Sequence, residues 1–150
     1  MEIKTERLLI RPAQVSEMEK MIENESAGEL RAAYTEMLTL AQENEEKYNW
    51  YIAWLFFLDG EEIGDACFKG FENGTAEIGY GIHPEFEGKG YTTEAVRAMI
   101  NWAFANGADV IEAETDPENA ASQRILQKFG FVPTGKTGEE GPRFALKKHC

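Results

Sequence analysis

At 150 residues, with 43% hydrophobic and 11% aromatic side chains, the chain is long enough to bury the core of one domain over residues 1–150 without disulfide or metal staples. A formal charge of −12 excludes the basic footprint needed for sequence-independent nucleic-acid binding, and it is compatible with a cationic substrate as well as with plain solubility. Cys67 and Cys150 make neither a disulfide framework nor a metal box, and His83 and His149 stand apart from any zinc-ligand spacing, so no metal is expected.

The elements follow in chain order. Residues Arg7 to Arg11 read as a first strand stopped by Pro12. Val15, Met18, Met21 and Ile22 fall at helical spacing with Ser16 as a nearby cap, and Leu30, Ala33, Tyr34, Met37, Leu38 and Ala41 repeat that spacing in a second helix. The apolar run from Trp50 to Leu58 reads as a buried strand, far below membrane-spanning length. Asp59-Gly60 turns it into a partner strand from Glu62 to Phe71, and Asn73-Gly74 makes a second tight turn into Thr75 to Ile82. Ala95, Met99, Ile100, Trp102, Ala103 and Phe104 mark a helix closed at Asn106-Gly107. A strand from Val110 to Thr115, a helix capped near Asn119 and ended at Gly130, a further strand beginning at Phe131 and Val132 and a last one from Phe144 to Lys147 complete the order β-α-α-β-β-β-α-β-α-β-β. The segment Lys136 to Gly141 reads as a mobile turn between those strands, and His83 before Pro84 as a turn residue. Met1 to Arg7 carries no signal-peptide apolar segment, so the expectation is a cytoplasmic protein without membrane association.

One junction carries a functional signal. Between the strand ending at Ile82 and the helix reaching Ala95 lies Glu87-Gly88-Lys89-Gly90-Tyr91-Thr92-Thr93-Glu94, where two glycines let the backbone approach a ligand and Thr92 or Thr93 can cap the helix. Unpaired N–H groups at the positive end of a helix favour a phosphate or pyrophosphate, although a plain turn uses the same residues. The pattern is neither a P-loop, since no Gly-Lys-Ser/Thr follows, nor a dinucleotide fingerprint, since Thr93 stands where a third glycine belongs.

Four stretches in the right order resemble the GNAT superfamily of acyl-CoA-dependent N-acetyltransferases. Thr5 to Pro12 is similar to the opening of the branch that includes the ribosomal-protein alanine acetyltransferases, and Ala76 to Tyr80 is similar to its fourth strand. Gly88 to Ala95 is similar to its pyrophosphate loop, with Glu87 and Thr92 departing from the usual Arg or Gln and Gly or Ala. Glu118 to Ser122 and Lys128 to Phe131 are similar to the helix and strand closing the cofactor site.

The resemblance implies an α+β, three-layer α/β/α fold around a mixed sheet of about six or seven strands. It implies acetyl transfer from acetyl-CoA to a primary amine, with a protein N-terminus or a small amine as acceptor; the alternative is a noncatalytic acyl-CoA-binding domain. It places cofactor contacts at Gly81, Ile82, Gly88, Lys89, Gly90, Tyr91, Thr92, Thr93, Asn119 and Ser122, with Arg124 a further phosphate contact. Glu77 is the expected general base, with Glu112 and Glu114 as alternates on one face of the next strand, and Ser122 the expected proton donor to the leaving thiol. Tyr34, Trp50 and Tyr51 are expected to line the acceptor pocket together with Glu77, and Glu29, Glu36 or Glu43 to attract an ammonium; core packing explains the aromatics equally well. Extension through the last strands would make a homodimer.

Overall fold

The computed structural model describes residues 1–148. Along the chain lie strands β1 (Ile3–Lys4) and β2 (Leu9–Pro12), helices α1 (Val15–Asn24), α2 (Gly28–Glu43) and α3 (Tyr48–Tyr51), then strands β3 (Ala53–Leu58), β4 (Glu61–Glu72) and β5 (Thr75–Ile82). Helix α4 (Tyr91–Ala105), strand β6 (Val110–Glu114), helix α5 (Ala120–Lys128) and strands β7 (Val132–Thr137) and β8 (Pro142–Lys147) follow. They form one eight-stranded sheet in the order β1-β2-β3-β4-β5-β6-β8-β7. Pairing is antiparallel except between β5 and β6, which α4 links as a crossover.

Both hairpins turn as their dipeptides require. Asp59 and Gly60 have φ of 50° and 83°, and Asn73 and Gly74 of 54° and 78°, the type I′ geometry that matches the twist of the flanking strands. Helix α5 ends in a Schellman motif, with the Phe131 N–H donating to the Leu126 carbonyl and the Gly130 N–H to that of Gln127.

Alternation along β3 divides the core into two halves. Ala53 and Leu55 pack with Met18 of α1 and Ala41 of α2 on one face, whereas Trp54 and Phe56 pack with Val96 and Met99 of α4 and Leu126 of α5 on the other. The result is the expected α/β/α sandwich. Trp50, Trp54, Phe68, Phe71 and Trp102 form an aromatic cluster in the second half, where Trp50 stacks on Phe71 at 4.3 Å between centroids.

Several sequence expectations are corrected. The sheet has eight strands because β1 adds a two-residue edge strand, and the strand beginning at Val132 runs on to Thr137, into the segment expected to turn. Trp50 and Tyr51 lie in α3, not in β3: an apolar run alone does not separate a buried helical turn from a strand. The α1 N-cap is Gln14, whose N–H donates to Glu17 Oε1 at 2.9 Å, and Ser16 lies inside the helix. Cys67 is buried, which pushes its thiol up to about 11. His149 and Cys150 lie outside the described residues. Among the described residues no helix is long and apolar enough to cross a membrane.

Candidate active site

The register of β5 creates the site. Thr75, Ala76 and Glu77 pair with Val110, Ile111 and Glu112, and beyond Glu77 the two parallel strands part. The edge of β5 from Ile78 to Ile82 therefore faces a cleft at the carboxyl ends of the strands, where open sheets bind ligands. A cavity of about 800 Å³ opens there, with Tyr80, Gly81 and Ile82 on one wall, the Gly88–Thr93 loop at one end and Asn119, Ser122 and Arg124 of the α5 region on the other.

The loop is built to present its backbone. Gly88 and Gly90 take φ of 77° and 82°, conformations that cost other residues strain. Gly90 itself is the N-cap of α4, with ψ of 6°, so neither Thr92 nor Thr93 caps the helix as the sequence suggested. Among the described residues the N–H groups from Gly88 to Thr93 have no protein acceptor, and Glu94 is the first to donate back into the helix, to the Gly90 carbonyl. Five of these six donors, all but that of Lys89, belong to residues that line the cleft at the positive end of α4.

The N-terminal segment fastens this loop from behind. Arg7 donates from Nη1 to the Lys89 carbonyl at 2.9 Å and from Nε to Glu94 Oε1 at 2.7 Å, and its guanidinium lies 4.5 Å over the Tyr91 ring. Thr5 Oγ1 and the Arg7 N–H both donate to Glu94 Oε2. Burial of Glu94 favours its neutral form, but these donors outweigh it and hold the carboxyl below its usual range. Arg7 and Glu94 are positioning residues that sequence inspection missed; a short stretch opening the chain and a helix-start carboxylate 87 residues later give no local sign of contact.

On the opposite wall, Asn119 caps α5, its Oδ1 accepting from the Ser122 N–H at 3.0 Å. Ser122 Oγ lies 3.0 Å from the Tyr80 hydroxyl, which reaches across the cleft from β5. Burial pushes the Tyr80 phenol upward, so it stays protonated at neutral pH. A loop of free amides, a splayed strand and a paired hydroxyl system in one cleft fit an acyl-CoA, and the family model described as "Acetyltransferase (GNAT) domain" matches residues 6–132.

The chain belongs to the GNAT acetyltransferase family. It is 31% identical over 144 residues to the uncharacterized N-acetyltransferase YnaD of Bacillus subtilis, covering 90% of this chain and 85% of that one. It is 37% identical over 82 residues to the uncharacterized N-acetyltransferase YjdG of Bacillus subtilis and 40% identical over 65 residues to p20 of Bacillus licheniformis. These matches span 49% and 36% of the relatives' lengths, half or less of the curated proteins concerned. Among solved structures, the ribosomal-protein-S5-alanine acetyltransferase of Vibrio fischeri superposes with a TM-score of 0.76 at 19% identity, over 99% of this chain and 96% of that one, which shows the shared fold.

Within this GNAT frame the expected site residues divide. Gly81, Ile82, Gly88, Gly90, Tyr91, Thr92, Thr93, Asn119 and Ser122 all line the cleft, and Glu87 does as well. Lys89 does not: its side chain is exposed, and it joins the loop only through its carbonyl. Trp50 is 6% exposed in the aromatic cluster and is not part of the cleft wall, so packing explains it.

Glu77 points to the other face of β5, away from Tyr80 and Ser122. Its Oε1 accepts from Arg143 Nη2 at 3.0 Å and its Oε2 lies 3.2 Å from Lys69 Nζ. Arg143 also binds Glu112 at 3.0 Å and Glu114 at 2.8 Å, and this crowd of carboxylates, Glu77 first, raises the guanidinium pKa far above neutrality. The three acids considered as bases are thus held by one arginine of β8.

Tyr34 meets the site from behind. It lines a separate cavity of about 470 Å³ that shares Gly81 and Ile82 with the cleft, and the acids there are Glu25, Glu62 and Asp65. Glu29, Glu36 and Glu43 are exposed on α2 and do not line it. His83, expected as a turn residue, also borders this cavity, with Nε2 2.8 Å from Glu62 Oε2. That contact raises the imidazole pKa above its usual value.

Proposed function

We propose that this single domain transfers the acetyl group of acetyl-CoA to a primary amine, the two reactants approaching β5 from opposite faces. The observation that carries the reading is the run of unpaired N–H groups from Gly88 to Thr93, all but that of Lys89 on residues lining the cleft beside a splayed strand. Backbone donors at a helix start suit a pyrophosphate without any positive side chain, which reconciles a polyanionic ligand with a chain of charge −12. Acetyl-CoA supplies the thioester, whose carbonyl carbon is the electrophile.

The residues around it divide the remaining work. Asn119 and Ser122 hold the pantetheine arm against the free edge of β5, whose N–H groups near Gly81 and Ile82 stand where a carbonyl oxygen gains charge. The Tyr80–Ser122 hydroxyl pair delivers a proton to the departing sulfur. Glu77 anchors Arg143 where the β5–β6 pairing ends, and its two ion pairs support that task in place of general base.

The test is release of free thiol from acetyl-CoA on addition of an amine panel to the purified protein. Amine-dependent release that drops about 10²-fold in Ser122→Ala and much less in Glu77→Gln supports the reading. Acetyl-CoA binding without turnover of any amine would support instead a noncatalytic acyl-CoA-binding domain.

A further inference from the structure

The cavity behind β5 has a feature that points to its occupant. Gly81 lies on both its wall and that of the cleft, and a Cβ at Gly81 would meet nothing within 4 Å. The absent side chain leaves a window of open space on the cavity side of β5, one residue along from Tyr80, whose hydroxyl meets Ser122 in the cleft. Directly across from it in the antiparallel register stands Asp65, whose Oδ2 accepts from the Tyr34 hydroxyl at 3.0 Å. Cα partners in such a ladder lie about 4.5–5.5 Å apart, so the Asp65 carboxylate is a near neighbour of the window. The extra residue in β4, where Phe56 pairs Gly64 and Phe57 pairs Glu62, brings Glu62 to the same face.

We propose that this cavity is the acceptor subsite, that Asp65 receives the ammonium and takes its proton, and that the substrate is a small primary amine without a carboxylate. The proposal rests on the acetyl-transfer reading above and names its acceptor side. Asp65 has no cationic partner among the described residues, its one hydrogen-bond donor being a phenol. Burial, then the nearby Glu62 charge, push the Asp65 carboxyl upward, with Tyr34 and His83 opposing. A buried carboxylate in that state gains from a positive ligand, and its raised basicity suits a proton acceptor. The other ionisable groups facing the cavity are Lys20 of α1, Glu25 after it, Tyr34 of α2, Glu62 of β4 and His83 after β5. Glu25, Glu62 and Asp65 outnumber Lys20 and His83 around the cavity, so a substrate carboxylate would be repelled. Met21, Leu30 and Ile82 supply apolar wall for an alkyl chain, and about 470 Å³ suits a compact molecule.

Asp65 takes one proton from the ammonium, and the freed nitrogen lone pair forms the C–N bond to the thioester carbonyl carbon. The C–S bond breaks with its electron pair on sulfur, and the second nitrogen proton passes through the Ser122 hydroxyl to that sulfur.

The experiment compares propylamine with β-alanine, and 1,5-diaminopentane with lysine, pairs that differ by a carboxylate. Initial rates of thiol release are measured for wild type, Asp65→Asn, Tyr34→Phe and Gly81→Val, with acetyl-CoA Kd for each by calorimetry. The expected result is a preference of about tenfold or more for each carboxylate-free amine, with amine KM raised about tenfold and kcat lowered about 10²-fold in Asp65→Asn at unchanged acetyl-CoA Kd. Gly81→Val closes the window while suiting a strand, so it gives the same KM increase even if Asp65→Asn does not fold. Equal turnover of β-alanine and propylamine, or an amine KM unchanged in both Asp65→Asn and Gly81→Val, overturns the subsite and leaves acetyl transfer standing. Acetyl-CoA binding with no thiol release from any amine overturns both.

Discussion

Replacing Gly90 by alanine tests whether the amide cradle depends on its backbone shape. Gly90 holds φ of 82° as the N-cap of α4, a conformation that costs a residue with a Cβ about 1–2 kcal/mol. The new Cβ would also stand 3.3 Å from Arg7 Nη2, tighter than ordinary contact, so Arg7 must shift from the Lys89 carbonyl and from Glu94. Gly88→Ala is the control: φ is 77°, but nothing lies within 4 Å of its Cβ, so only the backbone cost applies. For a chain of this size about 1 kcal/mol moves Tm by roughly 2–4 °C, so thermal unfolding should show Gly90→Ala lower than wild type by about 2–8 °C. Calorimetry should show acetyl-CoA binding weakened about tenfold in Gly90→Ala, because its helix start re-aims the Tyr91, Thr92 and Thr93 donors, and less in Gly88→Ala. Wild-type Tm and Kd in Gly90→Ala would refute both the strain and the cradle.

Two further outcomes follow from charge. Glu87 lines the cleft beside the cradle, so Glu87→Gln should tighten acetyl-CoA binding about twofold at low ionic strength, with the gain fading in added salt; no change in titration calorimetry would place its carboxylate outside the phosphate field. In acid, Glu17 is held low by its hydrogen bonds from Arg11 at 2.6 and 2.8 Å, and Glu94 by Thr5 and Arg7 against the opposing pull of burial. A folded pKa below the ordinary 4.5 means that each carboxylate contributes stability above that value and loses it as pH falls through the depressed folded value. Denaturant midpoints should therefore drop below about pH 4.5, and Glu94→Gln should flatten that slope; an equal slope in the variant would remove Glu94 from the account.

Most of the scaffold was legible because it is locally encoded. Thr75–Ile82 is bounded by Asn73-Gly74 and by Pro84, and the dipeptides Asp59-Gly60 and Asn73-Gly74 admit little but a tight turn. The glycine loop, Asn119 and Ser122 were readable for the same reason, since a cap and a positive-φ turn are properties of a few consecutive residues. The short helix holding Trp50 and Tyr51 was not, because an apolar stretch buries equally well in either conformation.

The amino-acid sequence by itself determined most of the strands and helices, the tight turns between them and the glycine loop, because periodicity and glycine chemistry act over a few residues, whereas the two-residue β1 and the short α3 emerged only on folding. Tertiary structure alone decided which partners meet. Arg143 reaches Glu77 across 66 positions and removes it from the free carboxylates, while Tyr34 and Asp65, 31 apart, meet behind the Gly81 window. Side-chain alternation tells that neighbouring residues on β5 face opposite ways, but only the packing of α1 and α2 on one face and α4 and α5 on the other brings the Tyr80 hydroxyl against Ser122 and leaves Gly81 opposite Asp65 on the face that carries Tyr34.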